Sequence, residues 1–336
     1  MQKAERIPTI VLKTHLLARL ESLGLSPLAL TLLAILAIAP LLIKDEYILH
    51  LMVVSLFFGA QAMAFDFTVG FINVVNFGFA AFVGLGGYTS ALLAVKLGCS
   101  PWIGLIAGAV AAGMLGFLTG ILTLRLRGIF AAVMAWFVGL ALMALTAAMV
   151  DLTRGMLGLQ VPLFLDTAAR RPYFYILLPM AIGTYILVKT VTNSHIGLAF
   201  RAIGQNLEAA RASGVNPTKY KIINFTISCA LAGLLGGFYA HFVGILTPDV
   251  MHTKHTVEVL ALSYIGGRGS LWGGLLAAFL VIPIFEYLKP LMEIRLIIYG
   301  LLLILAMIFY PGGLAGLFQR IGELIGRQRE KPEPAQ

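Results

Sequence analysis

The sequence predicts an all-α, polytopic helical membrane protein with about ten transmembrane segments, eight at the fewest, and a cytoplasmic N-terminus. Three observations predict it. Hydrophobic residues make up 60% of the 336 positions and charged residues only 12%, about half the charged share of a soluble domain. Charge-free runs recur along the chain, at 22–43, 47–65, 67–95, 97–124, 128–150, 172–188, 222–248, 269–285 and 296–319. A helix needs about 20 mostly apolar residues to cross the hydrocarbon core, and backbone in lipid must bond within its own segment. Finally, the basic residues are asymmetric: with alternating spans and the N-terminus inside, sixteen of the 24 Lys and Arg fall on the cytoplasmic side, as the positive-inside rule requires. The net charge of +9 therefore reads as basic cytoplasmic loops and not as a nucleic-acid surface.

The elements follow in order. Residues 1–24 form a cytoplasmic segment ahead of the first span. Within it Leu12, Leu16, Leu20 and Leu23 share one face, with Lys13, Arg19 and Glu21 turned away, the pattern of a helix lying on lipid headgroups. Residues 25–316 form the transmembrane domain. Its ten expected spans are 26–43, 47–65, 68–95, 102–123, 128–150, 172–190, 222–246, 255–266, 271–288 and 294–310. The third carries Asn73, Asn76 and several glycines, so a bend or break is expected there. The eighth is too short to cross and precedes the glycine-rich IGGRGSLWGG, which suggests a half-helix or re-entrant piece. A basic tail, 317–336, closes the chain.

Small residues recur every fourth position in two spans: Gly104, Gly108, Ala112, Gly116 and Gly120, then Ser228, Ala232, Gly236, Ala240 and Gly244. Such strips let backbones approach closely, either as tight static packing or as surfaces that slide. Cys99 and Cys229 read as packing residues. His252 and His255 lie three apart in an expected loop without the further ligands a metal would need. No Gly-Lys-Ser/Thr phosphate loop occurs, and no acidic residue stands clearly at mid-span. Asp66 is placed at a span end. The chain thus carries no visible energy source, no cofactor and no catalytic group of its own.

One polar stretch stands out inside the apolar domain: RAIGQNLEAARASGV, residues 201–215, in a cytoplasmic loop spanning 191–221. Phe200, Ile203, Leu207 and Ala210 form an apolar face; Arg201, Gln205, Glu208 and Arg211 form the polar one. Gly214 and Asn216-Pro217 end the helix. A helix this short is not stable alone, so either lipid headgroups or a protein partner must hold it.

Glu208-Ala209-Ala210 followed by Gly214 resembles the EAA loop of ABC-importer permeases. LRLRGIFAAVMAW (124–136), RAIGQNLEAARASGVNPTKYK (201–221), ALSYIGGRGSLWGGLLAAFL (261–280), IYGLLLILAMIFYPGGLAGL (298–317) and GFINVVNFGFAAFVGLGGYTSALL (70–93) extend the likeness. Over residues 47–320 the chain resembles the LivM-type permeases of branched-chain amino acid transporters. The resemblance implies a bacterial inner-membrane subunit with no enzyme activity, working beside a second, related permease. It also implies two ATP-binding partner subunits, which bind ATP and dock on Arg201, Gln205, Glu208, Ala209, Ala210, Arg211 and Gly214, and a periplasmic substrate-binding protein. Relatives often carry acidic residues where this chain has Gly204, Gln205, Asn206 and Arg211.

Asn73, Asn76, Tyr88 and Thr89 are the candidate substrate path, since polar groups in a bundle often face a cavity. Two asparagines that simply bond neighbouring helices are the alternative. Asp151, Arg154, Arg170 and Arg171, with Asp166, are candidate contacts for the binding protein, or solvated loop charges. The other functions left open are an ABC permease for a sugar, nucleoside, urea or amide, a stand-alone channel, and a membrane scaffold.

Overall fold

The structure is a computed structural model; it describes residues 27–123, 129–165, 167, 169–288, 294–309 and 312–317. The expected amphipathic leader, the basic tail and Asp166 lie outside the described residues.

The apolar runs become helices in the expected order. They are α1 (Pro27–Leu42), α2 (Glu46–Ile72), α3 (Phe79–Leu97), α4 (Pro101–Thr123) and α5 (Ile129–Ala148). After a one-turn α6 (Val150–Thr153) come α7 (Arg170–Asn193), α8 (His195–Gln205), α9 (Leu207–Ala212) and α10 (Pro217–Val243). The last three are α11 (Thr253–Gly266), α12 (Trp272–Tyr287) and α13 (Ile294–Phe309). Among the described residues six helices, α2, α3, α4, α5, α7 and α10, are long and apolar enough to cross a membrane. The other members of the expected ten, α1, α11, α12 and α13, have 16, 14, 16 and 16 residues. At 1.5 Å per residue α11 and α12, which are bounded on both sides by described residues, reach about 21 and 24 Å, short of a hydrocarbon core of about 30 Å.

α10 and α2 form the centre. Both are apolar all round, which marks a helix surrounded by others. α10 packs most extensively on α4 and α3, then on α2. The small-residue strips explain how. A Cβ on Gly236 would overlap the Val83 carbonyl, and one on Gly108 would overlap that of Gly86. A Cβ on Gly233 would meet Ala112 and the Gly108 oxygen. The two strips do not face each other, however. Gly104, Gly108 and Gly116 meet Ser90, Gly86 and Cys229, whereas Ser228 donates to the Ala64 carbonyl at 2.7 Å and Gly236 meets Val83. They are contacts of one chain with itself. Outside this core α5 exposes Phe130, Phe137, Leu140 and Leu145, a surface suited to lipid or a partner helix.

The expected third span, 68–95, is in fact broken. α2 runs on to Ile72, where Asn73 takes a left-handed backbone (φ 56°) and ends it. α3 starts only at Phe79, whose ring packs edge-on against Phe65 at 5.3 Å, well inside the end of α2. Asp66 is consequently not at a span end. It sits inside α2 and is 2% exposed.

At the end of the bundle away from the 73–78 break, the strand pair β1 (Leu159–Gln160) and β2 (Ile245–Leu246) runs antiparallel. His241 anchors this region: its Nδ1–H donates to the Pro162 carbonyl at 2.7 Å, so the Ser90 hydroxyl donates to Nε2 at 2.8 Å. Cys99, half-buried, lies at this end just beyond α3, near Trp102, whose ring packs against Phe164. Cys229 is fully buried at mid-bundle, accepting from Asn76 Nδ2 at 3.8 Å.

Candidate functional site: the α8–α9 hairpin and the C-terminal end of α2

The polar stretch 201–215 is not one helix. It breaks at Asn206, which is extended (φ −154°, ψ 110°) and accepts from the Glu208 and Ala209 N–H groups, each at 3.0 Å. Asparagine is among the strongest N-caps, and here it starts a second helix instead of continuing the first. α9 ends at a left-handed Gly214 (φ 83°), with Val215 N–H returning to the Ala210 carbonyl at 3.0 Å, the usual glycine-terminated C-cap. Asn216 then caps α10, accepting from Lys219 N–H at 3.2 Å, with Pro217 in the first turn.

The faces follow the expected division. Phe200, Ile203 and Ala210 are buried, and Leu207 is half-buried. Arg201, Gln205, Glu208, Ala209, Arg211 and Gly214 are exposed. Glu208 and Arg211 pair at 3.2 Å; exposed pairs of this kind add under about 1 kcal/mol, so they orient the surface more than they hold it. Arg201 also donates to the Thr192 carbonyl at 3.3 Å. The hairpin is held by its apolar face: Phe200 packs edge-on against Phe67 of α2 at 5.5 Å and near Tyr220 of α10 at 6.3 Å. Gly204 is the closest approach. A Cβ there would overlap the Phe71 carbonyl, so the residue that weakens an isolated helix is the one that lets α8 seat on α2.

The same end of α2 carries a second connection that the sequence reading missed. Asp66 accepts from Gly269 N–H at 2.8 and 3.0 Å, from Ser263 Oγ–H at 3.0 Å and from Leu271 N–H at 3.5 Å. Arg268 donates to Asn73 Oδ1 at 2.6 Å, and its guanidinium lies 5.4 Å from the Tyr264 ring centre. The loop 267–271 is thereby tied over the end of α2. Gly70 and Gly269 touch there, and Gly267 lies against Gly312 and Gly313. The signal was present: an aspartate in an apolar run and a glycine-rich IGGRG are complementary, because the carboxylate takes backbone N–H groups that only a tight loop presents.

The four substrate-path residues do not converge. Asn73 accepts from Arg268 at the C-terminal end of α2. Asn76 is fully buried; its Oδ1 accepts from Gly78 N–H at 3.1 Å and its amide faces Cys229. Tyr88 is buried toward the other end, donating to the Leu246 carbonyl at 3.3 Å, and Thr89 donates to the Leu85 carbonyl in its own helix. Asp151 and Arg154 are exposed around α6. Arg170 and Arg171 are half-buried at the start of α7 and not loose in a loop. Arg170 N–H donates to Glu46 Oε2 at 2.9 Å, with the guanidinium 5.1 Å from the Phe242 ring centre, and Arg171 donates to the Ile43 carbonyl at 3.0 Å. His252 and His255 also leave the expected loop: His252 caps α11, accepting from Lys254 N–H at 3.1 Å, and His255 pairs with Glu258 at 3.0 Å. An open groove of about 670 Å³ between α4 and α10 is lined by Ile106, Val110, Met114, Phe117 and Leu234; it suits hydrocarbon and not a polar solute.

Six membrane-length apolar helices among the described residues, with a polar hairpin seated on one end, define a multi-pass helical membrane protein. Residues 47–307 match the family described as branched-chain amino acid transport system / permease component, and the chain belongs to that family. It is 29% identical over 281 residues to the high-affinity branched-chain amino acid transport system permease protein LivM of Salmonella typhimurium, and 28% to that of Escherichia coli. Each match covers 75% of this chain and 66% of the relative, so the likeness spans just under two thirds of those proteins. It is also 29% identical over 231 residues to the autoinducer 2 import system permease protein LsrC of Yersinia pseudotuberculosis, covering 65% of this chain and 60% of the relative. No solved structure matches it.

Proposed function

We propose that this chain is one permease subunit of an ABC importer that carries branched-chain or related apolar amino acids across a bacterial inner membrane. Its partners are two ATP-binding subunits, a second related permease and a periplasmic binding protein. The ten segments α1–α5, α7 and α10–α13 lie in the membrane, α11 as a partial crossing. The N-terminus and the α8–α9 hairpin face the cytoplasm, and ATP binds and is hydrolysed in the partner subunits.

One observation carries the reading: the hairpin's apolar face is seated on α2 while Gln205, Glu208 and Arg211 stand exposed. Such a surface suits a docking protein, and α2 would carry its movement into the bundle. The names of the relatives favour an amino acid as cargo. The test is co-purification with the ATP-binding subunits, then leucine uptake into proteoliposomes with the binding protein present. Uptake should need ATP, and Glu208→Lys should lower it by about tenfold or more, since reversing a docking charge costs over about 1.4 kcal/mol. Uptake without ATP, or a Glu208→Lys chain that transports normally, would sink the reading.

A further inference from the structure

Two helices begin inside the bundle and not at its ends. The first turns of α3 and α11 meet, with Ala80 N–H donating to the buried Thr256 Oγ1 at 3.0 Å. Between these turns, α2 and α10 lies a small cavity of about 30 Å³ lined by Phe57, Phe58, Gln61, Tyr239, Val250 and His255. Gln61 is the sixteenth of 27 residues in α2, about 22 Å from that helix's first residue at 1.5 Å per residue, so the cavity is at mid-depth. Gln61 is only 4% exposed, yet no described residue hydrogen-bonds its amide. Gln61 lines the cavity.

The chemistry around it is graded. Two helix N-termini, each the positive end of a helix dipole, approach the cavity from α3 and α11. His255, whose Nδ1 lies 3.0 Å from Glu258 Oε2, borders it on one side. Phe57 and Tyr239, stacked at 5.0 Å, wall the other. Interrupted helices whose N-termini point at an anionic group are a recurrent way to bind solute in mid-membrane.

We propose that this cavity is the closed form of a solute site for an amino-acid zwitterion with an apolar side chain. The carboxylate faces the Gln61 amide and the first turns of α3 and α11, the ammonium faces Glu258, and the hydrocarbon lies against Phe57 and Tyr239. At about 30 Å³ the cavity holds about one water, so the first turn of α11 and the preceding segment with Val250 must withdraw to admit cargo. The choice of an amino acid rests on the reading given under Proposed function.

The test uses the complete transporter in proteoliposomes with ATP and binding protein. Gln61→Cys in a Cys99→Ser background is labelled with a methanethiosulfonate reagent, against the Cys99→Ser parent. Leucine should slow labelling by about fivefold or more, while leucinol, without the carboxylate, and isocaproate, without the ammonium, should not. In parallel, Gln61→Glu and His255→Ala should raise half-saturating leucine about tenfold. Position 61 staying unreactive during turnover, or all three compounds protecting alike, overturns the proposal. If wild type does not move leucine yet leucine protects position 61, amino-acid import falls and the site stands. If wild type moves leucine and both variants match it without protection, the site falls and import stands.

Discussion

Gly204 and Asp66 show how single residues set the C-terminal end of α2. In an exposed helix, Gly→Ala stabilises by up to about 1 kcal/mol. At Gly204 the sign reverses, because the added Cβ overlaps the Phe71 carbonyl. Gly204→Ala should lower the melting temperature of the purified complex and the leucine carried per ATP hydrolysed; a more stable, fully coupled variant would show that α8 does not depend on this contact. Asp66 is the sole described acceptor for two N–H groups of the 267–271 loop. Asp66→Ala strands them in a buried setting, which should cost about 3 kcal/mol and appear as a lower denaturation midpoint. Asp66→Asn, which keeps one carbonyl acceptor, should lose less. Neither role was read from sequence. Gly204 looked like a weak helix position and Asp66 like a span boundary, because charge marks an end only when nothing inside the bundle receives it.

At the scale of elements, the apolar runs gave the order of the helices, since length and hydropathy decide where a helix can sit in lipid, but placed the boundary between α2 and α3 seven to eleven residues too early. What they missed are the interruptions. Asn73 ends α2 through a left-handed backbone, and Asn206 divides α8 from α9 as an N-cap; both are local hydrogen-bonding choices that a hydrophobic pattern does not contain. Asn206→Ala should cost about 1 kcal/mol and let the two helices run together, turning Glu208 and Arg211 to a new direction. Cross-linking from a cysteine at 208 to the ATP-binding subunit measures this: an unchanged cross-link with normal uptake would mean that the bend is dispensable. The proposed solute site was illegible for a related reason. Asn76 and Tyr88 advertise polarity but are consumed by helix packing, whereas Gln61 sits in a run otherwise read as plain apolar span.

Across the whole molecule, the contacts form one line. The hairpin rests on the end of α2 through Gly204 and Phe200; α2 holds the 267–271 loop through Asp66; that loop ends α11, whose opposite end borders the mid-depth cavity. Displacement of the hairpin by a partner therefore has a continuous route of packed backbone and charge-assisted hydrogen bonds to α11. Backbone-to-backbone contacts at Gly86, Gly108, Gly233 and Gly236 leave the α3–α4–α10 block little freedom to absorb that displacement.

The two cysteines have a practical corollary. One thiol is half-buried at the end remote from the hairpin, beyond α3, and the other is sealed at the centre. The native chain is thus a built-in sidedness probe with a single reactive handle. A membrane-impermeant maleimide added to intact cells with a permeabilised outer membrane should tag Cys99 and spare Cys229. Tagging only after the inner membrane is opened would invert the proposed orientation of every segment at once.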